Sequence, residues 1–319
     1  MLLKKEILFF TLLFVVLCSI VNAQVTVCTE IGQNPSSAFP VCGTNVFSQT
    51  SVPLCGGNSI PVSPCGNKAP YTDVNPYWYK FTCFKTGTLG FSIVPINIGD
   101  DYDWQLFDIT NHDPMDVYTD SSLIVACNWS GKTGTTGTAD TGTNVFECGG
   151  FAVSPDSMYN PPNISAKPMI FKDHKYLLLV SHFFLYAPTR IGYNLSFDGT
   201  SSGSAAITDT LSPNITSVNV SCDGSRVKLK LNKKMLCSSI VQDGSDLAIS
   251  TNPAIDSARG WGCRTGFDTD SVVVYLQSPL PTGLYQLSTQ NGSTGHTIQD
   301  ICGTGIPLNE SFSFTKKTE

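Results

Sequence analysis

Charge is scarce in this sequence. Asp, Glu, Lys and Arg make up 14% of the residues, against ~25% in ordinary soluble domains, and the formal net charge is −6. No basic block is present, which argues against nucleic acid and anionic membranes as partners. Glutamate is nearly missing: past the N-terminal segment only Glu30, Glu147, Glu310 and Glu319 occur. The histidines (His112, His174, His182 and His296) are scattered, with no H-E-x-x-H or other paired spacing, so no acid–base pair or metalloprotease motif stands out. C-x-x-C pairs are also lacking, and no cysteine adjoins a histidine, which removes zinc-finger and thioredoxin-like readings. Nothing reads as a long amphipathic helix. Past residue 23 no apolar run reaches the ~20 residues of a membrane-spanning helix; residues 175–186 come nearest but carry Lys175, Ser181 and His182.

What is present points outward from the cell. Residues 1–23 combine Lys4 and Lys5, an apolar run from Ile7 to Ile20, and Val21-Asn22-Ala23, the three-part pattern of a cleaved secretory signal peptide. Beyond it stand eleven cysteines: Cys28, Cys42, Cys55, Cys65, Cys83, Cys127, Cys148, Cys222, Cys237, Cys263 and Cys302. At such spacings in an exported chain they read as disulfide candidates. Seven precede residue 150 and four follow residue 220. The later group can close into two bridges, whereas the earlier one is odd in number. Connectivity is not set by sequence.

Short β-branched and aromatic runs punctuated by Gly, Pro, Asn and Asp predict an all-β protein built as sandwiches. Arg226-Val-Lys-Leu-Lys-Leu-Asn232 alternates strictly, with Val227, Leu229 and Leu231 on one face and Arg226, Lys228 and Lys230 on the other, as expected of a strand with one face on a core. The small, polar stretch 198–214 marks a boundary near residue 210. The expected organisation is a larger sandwich over 24–210, with Cys-bearing N-terminal loops, and an immunoglobulin-like sandwich over 211–319.

Asn75-Pro-Tyr-Trp-Tyr-Lys-Phe-Thr82, Gly87-Thr-Leu-Gly-Phe-Ser-Ile93, Asp100-Asp-Tyr-Asp-Trp-Gln-Leu-Phe-Asp108, Val125-Ala-Cys-Asn-Trp-Ser-Gly131 and Tyr176-Leu-Leu-Leu-Val-Ser-His182 occur in that order. Together they resemble exported, modular, adhesin-like surface proteins of gliding bacteria, of the gliding-motility-associated type. The same order resembles the jelly-roll sandwich of pre-peptidase C-terminal domains. In the second half, Lys228-Leu-Lys-Leu-Asn-Lys-Lys234, Pro279-Leu-Pro-Thr-Gly-Leu-Tyr285 and Ser311-Phe-Ser-Phe-Thr315 resemble immunoglobulin-like modules of bacterial surface-layer proteins. The resemblance implies a jelly-roll-like sandwich followed by an immunoglobulin-like one, in a secreted or cell-surface protein without enzymatic activity.

The metal candidate is the acidic cluster Asp100, Asp101 and Asp103, with Asp108 beyond it. An Asp-rich turn can offer calcium several oxygens, although the spacing is not that of an EF-hand loop, and a solvated turn is the plainer account. No other cofactor is expected. Trp78, Phe184 and Tyr186 are the candidate ligand contacts, since aromatic rings at strand ends and loops can stack on sugars or on a partner protein; packing beneath the Cys-bearing loops is the competing reading. Gly199-Thr-Ser-Ser-Gly203 matches a nucleophile-elbow pattern by letter but has no helix after it. The expected function is adhesion or structural spacing in an extracellular assembly, with an extracellular glycan or surface protein as partner. The alternative is an accessory carbohydrate-binding module acting through exposed aromatics and calcium.

Overall fold

The computed structural model describes residues 26–43, 45–66, 71–149, 161–183, 191–197, 203–251 and 253–318. Residues 1–23, expected from the sequence to be a signal peptide, lie outside the described residues, as do Phe184 and Tyr186. The protein is all-β, with sandwich-like sheets and, among the described residues, no helix of seven or more residues.

The first sandwich places a six-stranded sheet against a five-stranded one. In the first sheet the order is β1 (Phe39–Pro40), β3 (Pro76–Thr82), β12 (Lys175–Phe183), β6 (Asp101–Asp108), β7 (Ile124–Asn128) and β9 (Phe146–Glu147). In the second it is β10 (Ile164–Ala166), β8 (Thr136–Ala139), β5 (Phe91–Pro95), β13 (Tyr193–Ser196) and β2 (Val46–Gln49). A short pair, β4 (Gly87–Thr88) with β11 (Met169–Ile170), completes this half. Alternation along β6 sends Tyr102, Trp104 and Leu106 into the space between the sheets. There they meet Phe91, Ile93, Tyr193 and Leu195 from β5 and β13. Phe91 and Trp104 pack edge to face at 4.8 Å, and the Tyr79 and Tyr193 hydroxyls bond at 2.9 Å, so each buried phenol finds a partner.

The opposite face of the six-stranded sheet is covered as well. Ile60, Val62, Cys65 and Tyr71 from the N-terminal loops, with Val117 and Leu123 from the β6–β7 connection, pack on Trp78, Phe107, Leu177 and Leu179. Two bridges, Cys28–Cys55 and Cys65–Cys148, fasten these loops. Asp73 organises them from inside: its buried carboxylate accepts from Gly57 N, Asn58 N and the Tyr118 hydroxyl at 2.6–2.7 Å. A buried charge so fully hydrogen-bonded is tolerated where a bare one is not.

The second sandwich sets β14 (Ile215–Val220), β15 (Arg226–Leu236), β18 (Asp268–Leu276) and β17 (Ile255–Gly260) against β16 (Leu247–Ile249), β19 (Gly283–Thr289) and β20 (Ser311–Lys316). Val227, Leu229 and Leu231 are buried while Arg226, Lys228 and Lys230 are exposed, matching the alternation in the sequence. The core is mainly aliphatic and begins at Ile215, whereas the first core ends at Ile207.

Cysteine pairing departs from the grouping expected by position. Cys237–Cys263 closes within the second sandwich, but Cys42–Cys302 joins the two halves across 260 residues. Cys83, Cys127 and Cys222 are unbridged. Cys83 belongs to the core between the sheets and Cys127 to the cluster on the other face of the six-stranded sheet, so the sheet itself separates them. Burial pushes both thiols up, which keeps them protonated and unreactive.

Candidate functional site

The four carboxylates proposed as one metal site stand in three places. A strand, not a turn, begins at Asp101, and its two-residue period puts Asp101 and Asp103 on one face and Asp100 off it. Asp100 accepts from Asn97 Nδ2 at 2.9 Å and lies 3.7 Å from His182 Nε2. Asp108 ends the strand seven residues after Asp101 and contacts His174 Nδ1 at 2.5 Å. Burial works to raise the Asp108 carboxyl, but hydrogen bonds from His174 and Thr110 outweigh it and hold the group below the usual range. Among the described residues, no group of three or more His, Cys, Asp or Glu is placed to hold a metal ion.

Asp101 and Asp103 are instead a buried acid pair. Burial lifts the Asp101 carboxyl to about 7. Asp103 rises well above its ordinary value through burial first and the neighbouring Asp101 second. Asp101 Oδ1 has no hydrogen-bond partner. Trp78 fares similarly: it is 0% exposed, pressed under the N-terminal loops, with its indole N–H unpartnered. Trp78 is therefore corrected from a ligand contact to a packing residue. The reason is the covering of the sheet's second face, which turns both sides of β3 inward.

Where the halves meet, a cleft of about 550 Å³ opens. Its walls carry Val41, Phe81, Phe84, Ile207 and Ile301. Five of the charged groups there, Lys80, Asp209, Lys233, Asp268 and Asp300, bind one another. Lys80 Nζ meets Asp268 Oδ2 at 2.6 Å, and Lys233 Nζ sits 2.6 Å from both Asp209 Oδ2 and Asp300 Oδ2. Lys233 reaches them because the β15–β18 register shifts between Lys230 and Met235, and such a bulge re-aims a side chain. Its third donor goes to Leu211 O at 2.8 Å. Asp300 Oδ1 accepts from Cys302 N and Thr304 N, which sets the loop for the Cys42–Cys302 bridge, and Phe39 packs on Phe267 at 4.8 Å. These contacts make the cleft a joint.

The second sandwich offers a different surface, which the sequence reading passed over. Trp78, Trp104 and Trp129 are at most 5% exposed, whereas Trp261 is 69% exposed. It lies directly after β17, on a loop that is fixed at several points. Trp261 N donates to Ser271 O and its carbonyl accepts from Thr269 Oγ1, both at 2.8 Å. Two residues on, Cys263 is bridged to Cys237. A groove of about 700 Å³ runs beside the indole, lined by Gln242, Arg259, Arg264, Val273 and Tyr275. The available signal was Gly260-Trp-Gly-Cys-Arg264, an aromatic between glycines, outside any alternating pattern and next to a cysteine.

The chain matches no protein-family model, and neither a curated protein nor a solved structure matches it.

Proposed function

We propose that this is a non-enzymatic extracellular protein with an adhesive or structural role in a surface assembly. The first sandwich acts as a support and the second presents the binding face. The observation that carries this reading is Trp261: a large apolar ring kept bare on a loop braced by a disulfide and by backbone hydrogen bonds. Exposing an indole forgoes the stabilisation that burial would bring, and a pre-ordered loop loses little entropy on binding. Four bridges fit an oxidising compartment, and no described helix is long and apolar enough to cross a membrane. The joint between the halves supports a rigid two-module unit, since a covalent bond and ion pairs on both sides of it oppose hinge motion.

The carbohydrate-binding reading is favoured by the same indole, now with Trp261 in the role first given to Trp78. To test the proposal, beads coated with the full chain are scored for attachment to cell surfaces and extracellular matrix. Attachment that survives on a glycan- or protein-bearing surface and is absent on inert polymer is expected. No attachment to any surface, together with turnover of ester or glycoside substrates, overturns it.

A further inference from the structure

The face beside Trp261 has a charge pattern unlike the rest of the molecule. Strand register aligns Asn219, Lys228, Val273 and Arg259 in one row across β14, β15, β18 and β17, and Arg226, Tyr275 and Ser257 in the next. Core residues Val227, Leu229, Val272 and Val274 occupy the other side of these strands, so both rows face outward. Arg226, Arg259 and Arg264, the three described arginines, all gather on or beside this one face of an acidic chain. Among the described residues, the ion pairs use only lysine or histidine, and no arginine joins one. Lys228 Nζ lies 4.8 Å from the centroid of the Trp261 ring, a cation–π contact that steadies the indole from one side.

We infer that this groove binds an acidic polysaccharide, with a uronate unit stacked on Trp261 and its carboxylate held by Arg259 and Arg264. The inference rests on the binding reading above and names the ligand class. The two halves of the recognition fit one sugar residue. The apolar C–H face of a pyranose matches the flat indole, and a planar carboxylate matches the guanidinium fork. A neutral glycan would leave the arginines unanswered. A nucleic acid would call for a longer basic track and successive stacking rings, where this face has a single exposed indole. An acidic peptide would satisfy the arginines but leave the indole without a flat partner.

The full chain is titrated against polygalacturonate, heparin, neutral dextran, single-stranded DNA and polyglutamate, following tryptophan emission and direct binding. Binding of polygalacturonate with a blue shift of the exposed indole is expected, with none to dextran. Trp261→Ala and the pair Arg259→Gln with Arg264→Gln should each weaken it about tenfold or more. Leu284→Ala, equally exposed at 74% on the other sheet, should leave it unchanged, and all variants should melt within a few degrees of the native chain. Equal binding of DNA, polyglutamate and polygalacturonate that ignores Trp261→Ala reduces the face to a generic cationic patch and overturns the inference. Heparin binding without polygalacturonate binding overturns the carboxylate assignment. Bead attachment that persists in Trp261→Ala, with no polygalacturonate binding by the native chain, sinks this site while the adhesive reading stands. Polygalacturonate binding without any bead attachment does the reverse.

Discussion

The two sandwiches solve the same folding problem with different materials. The first buries Trp78, Trp104 and Trp129 and covers its six-stranded sheet on both faces. Even Asp73, Asp101 and Asp103 are enclosed there. The second is held by Val, Leu and Ile, with Tyr285 and Phe314 as its buried aromatics, and the outside of its four-stranded sheet carries Arg226, Lys228 and Arg259 among uncharged residues, beside the exposed Trp261. A sheet covered twice has little surface left for recognition. A sheet covered once keeps a row of side chains free at a spacing its register defines. That difference is why the proposed binding face falls on the smaller half.

The contrast can be broken most strongly from within. Trp104→Ala in the first core should cost about 3–5 kcal/mol, read as a fall in the denaturant midpoint. A loss under 1 kcal/mol would mean that the aromatic core does not carry the first half. Next comes the joint. Lys233→Met leaves the carboxylates of Asp209 and Asp300 facing each other without their cation, and Asp300 is 0% exposed. A loss of about 3–5 kcal/mol and separate melting of the halves are expected. A single unchanged transition would show that the Cys42–Cys302 bridge alone is sufficient.

A smaller effect should follow pH. The folded Asp101 carboxyl is raised to about 7, while the unfolded one titrates near 4. Between those values the unfolded chain releases a proton that the folded chain keeps. Stability contributed by this group is therefore fully present below about pH 4 and is lost as pH rises toward 7. Asp103 acts in the same direction. Asp101→Asn should flatten that slope and raise stability at pH 8 by about 1–3 kcal/mol. Melting curves from pH 4 to 8 check it, and a native curve that rises through that window contradicts the buried pair. The smallest change belongs to Trp261→Ala, where stability should stay within about 0.5 kcal/mol while binding is lost. A large fall in melting temperature would make the indole a structural residue.

Much of the fold was legible along the chain, and less of the site. The period of Arg226–Leu231 identified a strand with one buried face. Asp100, Asp101 and Asp103 read as an Asp-rich turn, yet a strand begins at Asp101 and both Asp101 and Asp103 are buried, so the acidic run is a buried pair in place of a turn. Trp78 is flanked by Tyr77 and Tyr79 and Trp261 by two glycines, but neither context states which ring is covered; the packing of distant loops buries the first and leaves the second bare. Cysteine spacing likewise favoured closure of Cys302 within its own half, because nothing local places Cys42 beside it.

Read alone, the chain settles its class: an all-β polymer of low charge, rich in cysteine and turn residues, with strands whose faces are set by a two-residue period. Those properties are local, decided by backbone sterics and by which side chains leave water. Which faces are covered, which cysteines meet, and which tryptophan and arginines remain outside are decided by contacts between segments up to 260 residues apart. Such contacts depend on how whole sheets and loops stack in three dimensions, so they appear only in the tertiary structure.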